Sequence, residues 1–225
     1  QLGEYQIRIP DLEKQSYILK VLSSLDDKIE INNRINAELE AMAKTLYDYW
    51  FVQFDFPDAN SKPYKSSGGK MVYNEDLKRE IPEEWEVKTL IEITSLIRRG
   101  ISPKYVEEGG YLVLNQKCIR NQTISFELGR RYDNKLSRND ERLIELGDVL
   151  VNSTGVGTLG RVAFVKYIQK EKATVDSHIT IVRGNPDLVN TEYLNYWMLK
   201  SEKDIERAAE GSTGQVELRK EFLEN

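Results

Sequence analysis

Amide, hydroxyl and cationic side chains recur in short clusters through the second half of this 225-residue sequence. Asn and Gln amides pair well with adenine edges, whereas Arg and Lys suit guanine and phosphate groups. Each cluster falls at a predicted strand end or in a predicted loop, and loops on a rigid sheet commonly carry binding residues. These residue types predict a DNA-contacting surface, although ordinary polar loops are the alternative. The predicted residues are Arg98, Arg99, Lys104, Asn115, Gln116, Lys117, Arg120, Asn121, Asn152, Ser153, Thr154, Thr158, Arg161, Ser177, His178, Thr213 and Gln215.

Residues 155–160 have the sequence GVGTLG, which formally matches a dinucleotide-binding fingerprint. That fingerprint requires a helix directly after the glycines, because the helix N-terminus holds the pyrophosphate. Here the following residues, from Arg161, have the β-branched alternation of a strand. We therefore predict a glycine-rich hairpin loop, whose backbone amides and Thr158 approach a phosphate backbone closely.

No catalytic constellation is visible in the sequence. His178 is the only histidine and Cys118 the only cysteine, which leaves no zinc site of the usual kinds. Asp176 and Ser177 adjoin His178, but neighbouring strand residues point to opposite faces. There is no phosphate-binding P-loop and no adenine-methyltransferase motif, since Asn185 is followed by Pro and Asp. We expect neither catalysis nor a cofactor or metal. The segment 176–178 either hydrogen-bonds to DNA or forms a local turn network.

Charge is unevenly distributed along a chain whose net charge is −5. Residues 11–56 contain five Lys/Arg and nine Asp/Glu, a net of −4, whereas residues 98–142 contain ten and six, a net of +4. Nucleic-acid binding needs a local positive face rather than a positive total, although ordinary surface variation would also produce this difference. No apolar run is long enough for a membrane span. The single cysteine fits a reducing compartment, so a cytoplasmic location is expected.

A long helix is predicted from the N-cap Asp11 to about Trp50. Its apolar residues recur in alternating steps of four and three, which is typical of a coiled coil and requires a partner helix. Asn32 and Asn36 fall on the same seam, where they fix the register of a coiled coil or, alternatively, mark a solvated helix break. The predicted partner-contacting residues are Ile18, Leu22, Leu25, Ile29, Asn32, Asn36, Leu39, Met42 and Leu46.

The remaining sequence divides into a linker and a second domain. Residues 57–82 are rich in Pro, Gly, Ser and Asn and predict a linker, whose aromatic residues pack on a surface. From residue 83 onward the pattern is mixed α and β, with short, irregularly spaced strands. A strand then a short helix are predicted from Trp85, and a helix capped by Thr191 runs to about Ala209. Further strands are predicted at 111–119, 147–154, 161–167 and 178–184.

Several long motifs in order resemble the specificity subunits of type I restriction-modification systems. IRIPDLEKQ, the LDDKI stretch and the N-x-x-x-N run are similar to the helical spacer of that family. LNQKCI, GDVLVNSTGVGTLGRVAFV, TVDSHITIVR and AEGSTGQVELRKEFLEN are similar to its target-recognition domain. The resemblance covers nearly the whole chain. It implies an α+β protein with a coiled-coil spacer in residues 1–56 and a target-recognition domain in residues 83–225.

The resemblance also implies a function and partners. A recognition domain of this family reads one half of a bipartite DNA site, and its spacer helices dock methyltransferase and restriction subunits. A complete subunit has two spacers and two recognition domains, so this sequence resembles a half-subunit or a truncated product. We expect a non-catalytic protein that binds double-stranded DNA and forms a homodimer through its helix, without membrane association. A coiled-coil adaptor without DNA binding is the alternative.

Overall fold

A computed structural model describes residues 2–4, 6–133 and 140–210, together with Leu218. The chain forms two compact units, Gln1–Trp85 and Glu86–Asn225. Within the described ranges, no helix is both long enough and apolar enough to cross a membrane.

The first unit is dominated by helix α1 (Leu12–Tyr47), which confirms the predicted long helix. The Asp11 Oδ1 atom accepts a hydrogen bond from the Lys14 backbone N–H at 2.8 Å, so Asp11 is the N-cap as predicted. The helix continues through Asn32 and Asn36, which excludes a break at these residues. It passes into one turn of wider π geometry at Asp48–Val52. The seam leucines, isoleucines and Met42 between residues 18 and 46 are 45–67% exposed, so this unit leaves the apolar stripe uncovered.

An aromatic cluster follows the helix. The Trp85 ring lies 5.9 Å from Phe51, 5.3 Å from Phe54 and 5.4 Å from Phe56, measured between centroids. Arg79 donates from Nη2 to the Val52 carbonyl at 2.7 Å. Arg79 belongs to an antiparallel hairpin of β1 (Met71–Asn74) and β2 (Arg79–Pro82). The stretch predicted as a linker thus carries a hairpin, because aromatic packing gives a short polar sequence its own small core.

The second unit contains two four-stranded sheets and a small hairpin. The central sheet contains β3 (Thr94–Arg99), β9 (Val149–Asn152), β10 (Val162–Phe164) and β12 (Ile179–Gly184). Its strand order is β10-β9-β12-β3, and it is antiparallel throughout. The second sheet contains β4 (Tyr105–Val106), β5 (Tyr111–Leu114), β8 (Arg130–Tyr132) and β11 (Ala173–Val175). Its strand order is β11-β5-β8-β4, and it contains one parallel pair, β11 with β5. The hairpin consists of β6 (Ile119–Arg120) and β7 (Thr123–Ile124).

Both faces of the central sheet are buried. In β9, Val149 and Val151 pack with Leu194 and Met198, whereas Leu150 packs on the opposite side with residues of the second sheet such as Leu114. The helices on the first face are α3 (Thr191–Lys200) and α4 (Glu202–Glu210), and the short α2 (Leu90–Ile93) precedes β3. This burial agrees with the nearly continuous apolar sequences of β9 and β12, VLVN and ITIVRG.

Several predicted boundaries differ from the structure for local reasons. Thr89 and Glu92 form a capping box that starts α2, and residues 85–89 directly before this helix do not form the predicted strand. Asn115 caps a 3-10 turn, which ends β5 at Leu114 rather than at residue 119. Asn190, not Thr191, is the N-cap of α3, because its Oδ1 accepts from the Tyr193 N–H at 3.0 Å. The long C-terminal helix is interrupted at Ser201.

Candidate nucleic-acid interface

Several loops of the second unit meet at one end of its sheets. Strand β9 ends where its antiparallel partner β12 begins, and β3 ends beside the same start of β12. The Ser153 N–H donates to the His178 carbonyl at 2.8 Å, and the Asp176 N–H donates to the Leu114 carbonyl at 2.9 Å. The first bond extends the central sheet, the second extends the second sheet, and residues 176–178 connect β11 of the second sheet to β12 of the central sheet at this end. We call residues 98–101, 115–118, 153–161 and 176–178 the loop end.

Gly100 allows β3 to approach β11 closely at the loop end. A Cβ atom at this position would lie 2.0 Å from the Val175 carbonyl oxygen, closer than any side chain permits. The neighbouring Ile101 N–H donates to that same oxygen at 2.9 Å. Arg142 donates from Nη1 to the Gly100 carbonyl at 3.1 Å and ties a further loop to this point.

Three predicted site residues form one hydrogen-bonded group. The Gln116 Nε2 atom lies 2.8 Å from both the carbonyl oxygen and the Oγ1 atom of Thr154. Thr154 Oγ1 lies 2.6 Å from His178 Nδ1. The Asp176 Oδ1 atom accepts from the His178 backbone N–H at 3.0 Å. The loops after β5, after β9 and before β12 therefore hold Gln116, Thr154 and His178 together, and the His178 ring remains exposed.

Residues 153–161 connect β9 to β10, and the two strands pair antiparallel. The predicted hairpin loop is confirmed, and the glycine-rich sequence lacks the helix that a dinucleotide site needs. Gly155 has φ +100°, and a Cβ there would lie 2.6 Å from Thr158 Oγ1. Thr158 Oγ1 donates to the Gly155 carbonyl at 3.3 Å, and Arg161 Nη2 donates to the Gly157 carbonyl at 2.7 Å. The loop is thus braced by its own side chains.

The predicted cationic side chains differ in their exposure and in their hydrogen-bond and ion-pair partners. Lys117 and Arg120 are exposed, in the turn after β5 and in β6, and Lys104 is exposed between β3 and β4. Arg161 is half-buried and supports the loop, reaching the Ile119 carbonyl at 3.5 Å. The remaining two are tied to groups of the same unit: Arg98 pairs with Glu141 at 3.0 Å and Arg99 donates to the Leu218 carbonyl at 3.0 Å.

Asn152 and Ser153 are corrections to the predicted surface, because their relative exposures are 0% and 1%. Asn152 Nδ2 donates to the Gln116 carbonyl at 3.2 Å, and Ser153 Oγ lies 2.5 Å from Thr180 Oγ1. Both side chains therefore connect strands and loops inside the unit and cannot contact a ligand in this conformation.

The other predicted residues fall in three places. Asn115 is half-buried, and its Oδ1 accepts from the Lys117 N–H at 3.0 Å. Asn121 is exposed in the turn between β6 and β7, with φ +51°. Ser177 is half-buried beside His178. Thr213 and Gln215 lie outside the described residues.

The sequence assigned Asp176 no definite structural role, but in the structure its buried carboxylate accepts the hydrogen bond from the His178 backbone N–H. It is 4% exposed, and burial raises the pKa of its carboxyl, while the hydrogen bond from His178 acts in the opposite sense. Tyr105 lies near it, with the Arg130 guanidinium 3.5 Å from the ring centroid. Burial and the negative charge of Asp176 raise the pKa of the Tyr105 hydroxyl. An Asp two residues before a strand is a common turn signal, so Asp176 was detectable in the sequence.

Comparison with solved structures identifies the fold. The HsdS subunit from Thermoanaerobacter tengcongensis superposes with a TM-score of 0.50 over 96% of this chain and 46% of that chain, at 17% identity. At this identity the similarity concerns the fold: a long helix with a sheet-rich α/β domain.

Sequence comparison then identifies the family. A family model described as "Type I restriction modification DNA specificity domain" matches residues 1–41 and 82–225. The chain belongs to this family. It is 37% identical over 103 residues to the Type I restriction enzyme MjaIX specificity subunit of Methanocaldococcus jannaschii, a match that covers 46% of this chain and 22% of that subunit. It is 51% identical over 54 residues to the HindI specificity subunit of Haemophilus influenzae, covering 24% of this chain and 12% of that subunit.

Proposed function

We propose that this chain selects a DNA sequence for a type I restriction-modification enzyme, with the loop end of the second unit as its DNA-contacting surface. The carrying observation is the convergence of three loops that bring Gln116, Thr154 and His178 together at an exposed edge. Exposed Lys117 and Arg120 lie in and just after the first of these loops. The names of the relatives, which are specificity subunits of type I restriction enzymes, support the same assignment.

The two kinds of side chain at the loop end suit two kinds of DNA contact. Lys117 and Arg120 supply exposed positive charge, which binds phosphates and positions the duplex without reading its sequence. His178 and Asn121 present hydrogen-bonding groups on short side chains. Such groups discriminate bases when they reach a groove. Arg161 serves the site indirectly, by bracing the glycine-rich loop.

Catalysis is assigned to partner subunits in this proposal. The Asp176 carboxylate accepts from the backbone N–H of His178 rather than from its ring. The ring instead bonds to the Thr154 hydroxyl, so Asp176 and His178 are not arranged as the acid and base of a catalytic triad. S-adenosylmethionine-dependent methylation by the purified chain alone would contradict this assignment.

The DNA proposal is tested by measuring duplex affinity while the salt concentration is varied. Lys117→Ala and Arg120→Ala should each weaken binding and lower the slope of log affinity against log salt by about one. Lys203→Ala, an exposed cation on α4, is the matched control and should leave the slope unchanged if α4 does not contact DNA. Unchanged affinity in both test variants, with intact thermal unfolding, would place the DNA surface elsewhere.

We further propose that α1 pairs with a second copy of itself as an antiparallel coiled coil. The alternative partner is a helix of another subunit. An axis at Asn32 would set Ile18 opposite Leu46, Leu22 opposite Met42, and Leu25 opposite Leu39. All of these residues are at least 45% exposed in the single chain. Full burial of a Leu side chain contributes about 1.5–3 kcal/mol, so this seam supplies enough apolar contact to support association.

Light scattering on the full chain tests the helix pairing. The wild-type chain should have the mass of a dimer at tens of micromolar, and Leu25→Arg should be monomeric because it places two charges in the seam. Lys20→Arg, an exposed conservative change on the same helix, is the control. A monomeric wild type would indicate that the apolar stripe of α1 binds another subunit instead of a second copy. A dimer without DNA binding would favour a structural adaptor.

A further inference from the structure

We propose that His178 reads a hydrogen-bond acceptor on a DNA base with its Nε2–H group, and that Gln116 and Thr154 are positioning residues that hold the imidazole in this tautomer. The inference rests on the proposed DNA-binding function and goes beyond it by assigning one donor and the bonds that orient it.

The first step is the orientation of the Gln116 amide. Its Nε2 atom lies 2.8 Å from the Thr154 carbonyl oxygen, and a carbonyl oxygen only accepts hydrogen bonds. The atom facing it must therefore be the amide nitrogen. The second hydrogen of the same NH2 group is directed to Thr154 Oγ1, also at 2.8 Å.

The second step concerns the single hydrogen of the Thr154 hydroxyl. Its oxygen accepts from Gln116, and among the described residues the partner left for the O–H is His178 Nδ1 at 2.6 Å, so we assign the O–H as the donor to Nδ1. A neutral imidazole has one accepting and one donating nitrogen. If Nδ1 accepts, then Nε2 carries the hydrogen.

The third step concerns the position of the ring. The backbone of His178 is fixed on both sides, since its N–H donates to Asp176 Oδ1 at 3.0 Å and its carbonyl accepts from the Ser153 N–H at 2.8 Å. The residue is nevertheless exposed. A donor on a fixed backbone and a fixed ring has a defined direction, which sequence reading requires and charge attraction does not.

The fourth step separates a base from a phosphate as the acceptor. A phosphate contact needs positive charge without a fixed direction, whereas the bond between the Thr154 hydroxyl and Nδ1 fixes the direction in which Nε2 points. An N–H donor of fixed direction matches the acceptors of the major groove: purine N7, guanine O6 and thymine O4. Nearby Lys117 and Arg120 already supply the charge that phosphates need.

The tautomer is measured by nitrogen-15 NMR of the imidazole, which is unambiguous because the chain contains one histidine. In mildly alkaline buffer the wild-type spectrum should show a protonated Nε2 and an unprotonated Nδ1. Thr154→Val should move both nitrogen signals toward the average of two tautomers. Thr154→Ser should restore the wild-type pattern, and Ser201→Ala, which removes a hydroxyl bonded to the Trp197 carbonyl at the end of α3, should leave it unchanged. A protonated Nδ1 in the wild type, or no change in Thr154→Val, would overturn the positioning role.

Base reading is measured by co-expressing the chain with its methyltransferase subunits and determining the methylated motif by sequencing. His178→Ala should relax one motif position, with about three- to tenfold weaker discrimination there. Lys203→Ala should leave the motif unchanged. A full motif with lower overall methylation in His178→Ala would identify a phosphate contact and overturn base reading. Absence of DNA binding by the wild type would overturn the proposed function, and base reading with it, whatever tautomer the NMR spectrum shows.

Discussion

The two ends of the central sheet use polar residues in different ways. At the end opposite the loop end, Arg183 binds Asp148 through two bonds, Nε to Oδ1 at 2.7 Å and Nη2 to Oδ2 at 2.8 Å. Asp148 is 1% exposed, and Arg183 also donates to Glu145 and to the Leu143 carbonyl. The pairing with Asp148 raises the pKa of the Arg183 guanidinium above its ordinary value. These groups are satisfied within the protein.

At the loop end, by contrast, the hydrogen-bonded group stops at an exposed ring. Gln116 bonds to Thr154 and Thr154 bonds to His178 Nδ1, while His178 itself is exposed. The comparison teaches that polarity alone does not mark a binding surface. A closed network stabilises the fold, whereas a network that ends in an oriented, exposed donor is available to a ligand.

The largest expected effect is on stability and concerns the Arg183–Asp148 pair at the end of the central sheet opposite the loop end. Arg183→Met should lower the free energy of unfolding by about 3–5 kcal/mol, because it leaves the buried Asp148 charge unpaired. Urea denaturation measures the loss. The double variant Arg183→Met with Asp148→Leu should recover part of it, since the unpaired charge is then removed. A loss well under 1 kcal/mol in the single variant would show that the pair contributes little.

The next largest effect is a difference in stability between variants of Gly155 and Gly157, both in the glycine-rich loop of residues 153–161. Gly155→Ala should destabilise the protein by more than the roughly 1–2 kcal/mol expected for an alanine in a left-handed conformation, because its Cβ would also collide with Thr158 and Gln116. Gly157→Ala, at φ +76° with nothing within 4 Å, is the matched control and should cause only the conformational loss. Thermal unfolding of both variants measures the difference. Equal losses would mean that the close approach to Gln116 is not maintained.

Ser153 gives a smaller effect that distinguishes a structural hydroxyl from a binding one. Ser153→Ala should reduce stability by about 1 kcal/mol, since the buried Thr180 hydroxyl loses its partner at 2.5 Å. Affinity of the folded protein for DNA should stay within a factor of two of the wild type. A marked loss of DNA affinity without loss of stability would show that Ser153 contributes to DNA binding after all.

The smallest effect is a pH dependence at Asp176. Burial raises the pKa of its carboxyl, so folding favours the protonated form. Wild-type stability should therefore decrease as the pH rises from the ordinary pKa of 3.8 through the raised value in the folded protein, and remain lower above it. Asp176→Asn keeps the Oδ1 acceptor for His178 and should lack this decrease. Denaturation at several pH values measures both proteins, and a less stable variant at neutral pH would contradict the assignment.

The sequence by itself determined the long helix and several strands of the second unit. The alternating apolar steps and Asp11 predicted α1, and the β-branched residues after Gly160 predicted a strand rather than a nucleotide-binding helix. Both predictions depend on neighbours in the chain, which are read directly. The family motifs likewise follow from the order of residues alone, and the family match confirmed them.

Only the tertiary structure decided which polar residues face outward. Asn152 and Thr154 are two positions apart, yet one is fully buried and the other joins Gln116 to His178. Their difference depends on where the turn after β5 and the segment before β12 lie. Asn152 bonds to Gln116, which is 36 residues away in the sequence, and Thr154 bonds to His178, which is 24 residues away. Burial is a property of long-range packing, so residue type and local spacing could nominate the loops but could not choose among their side chains.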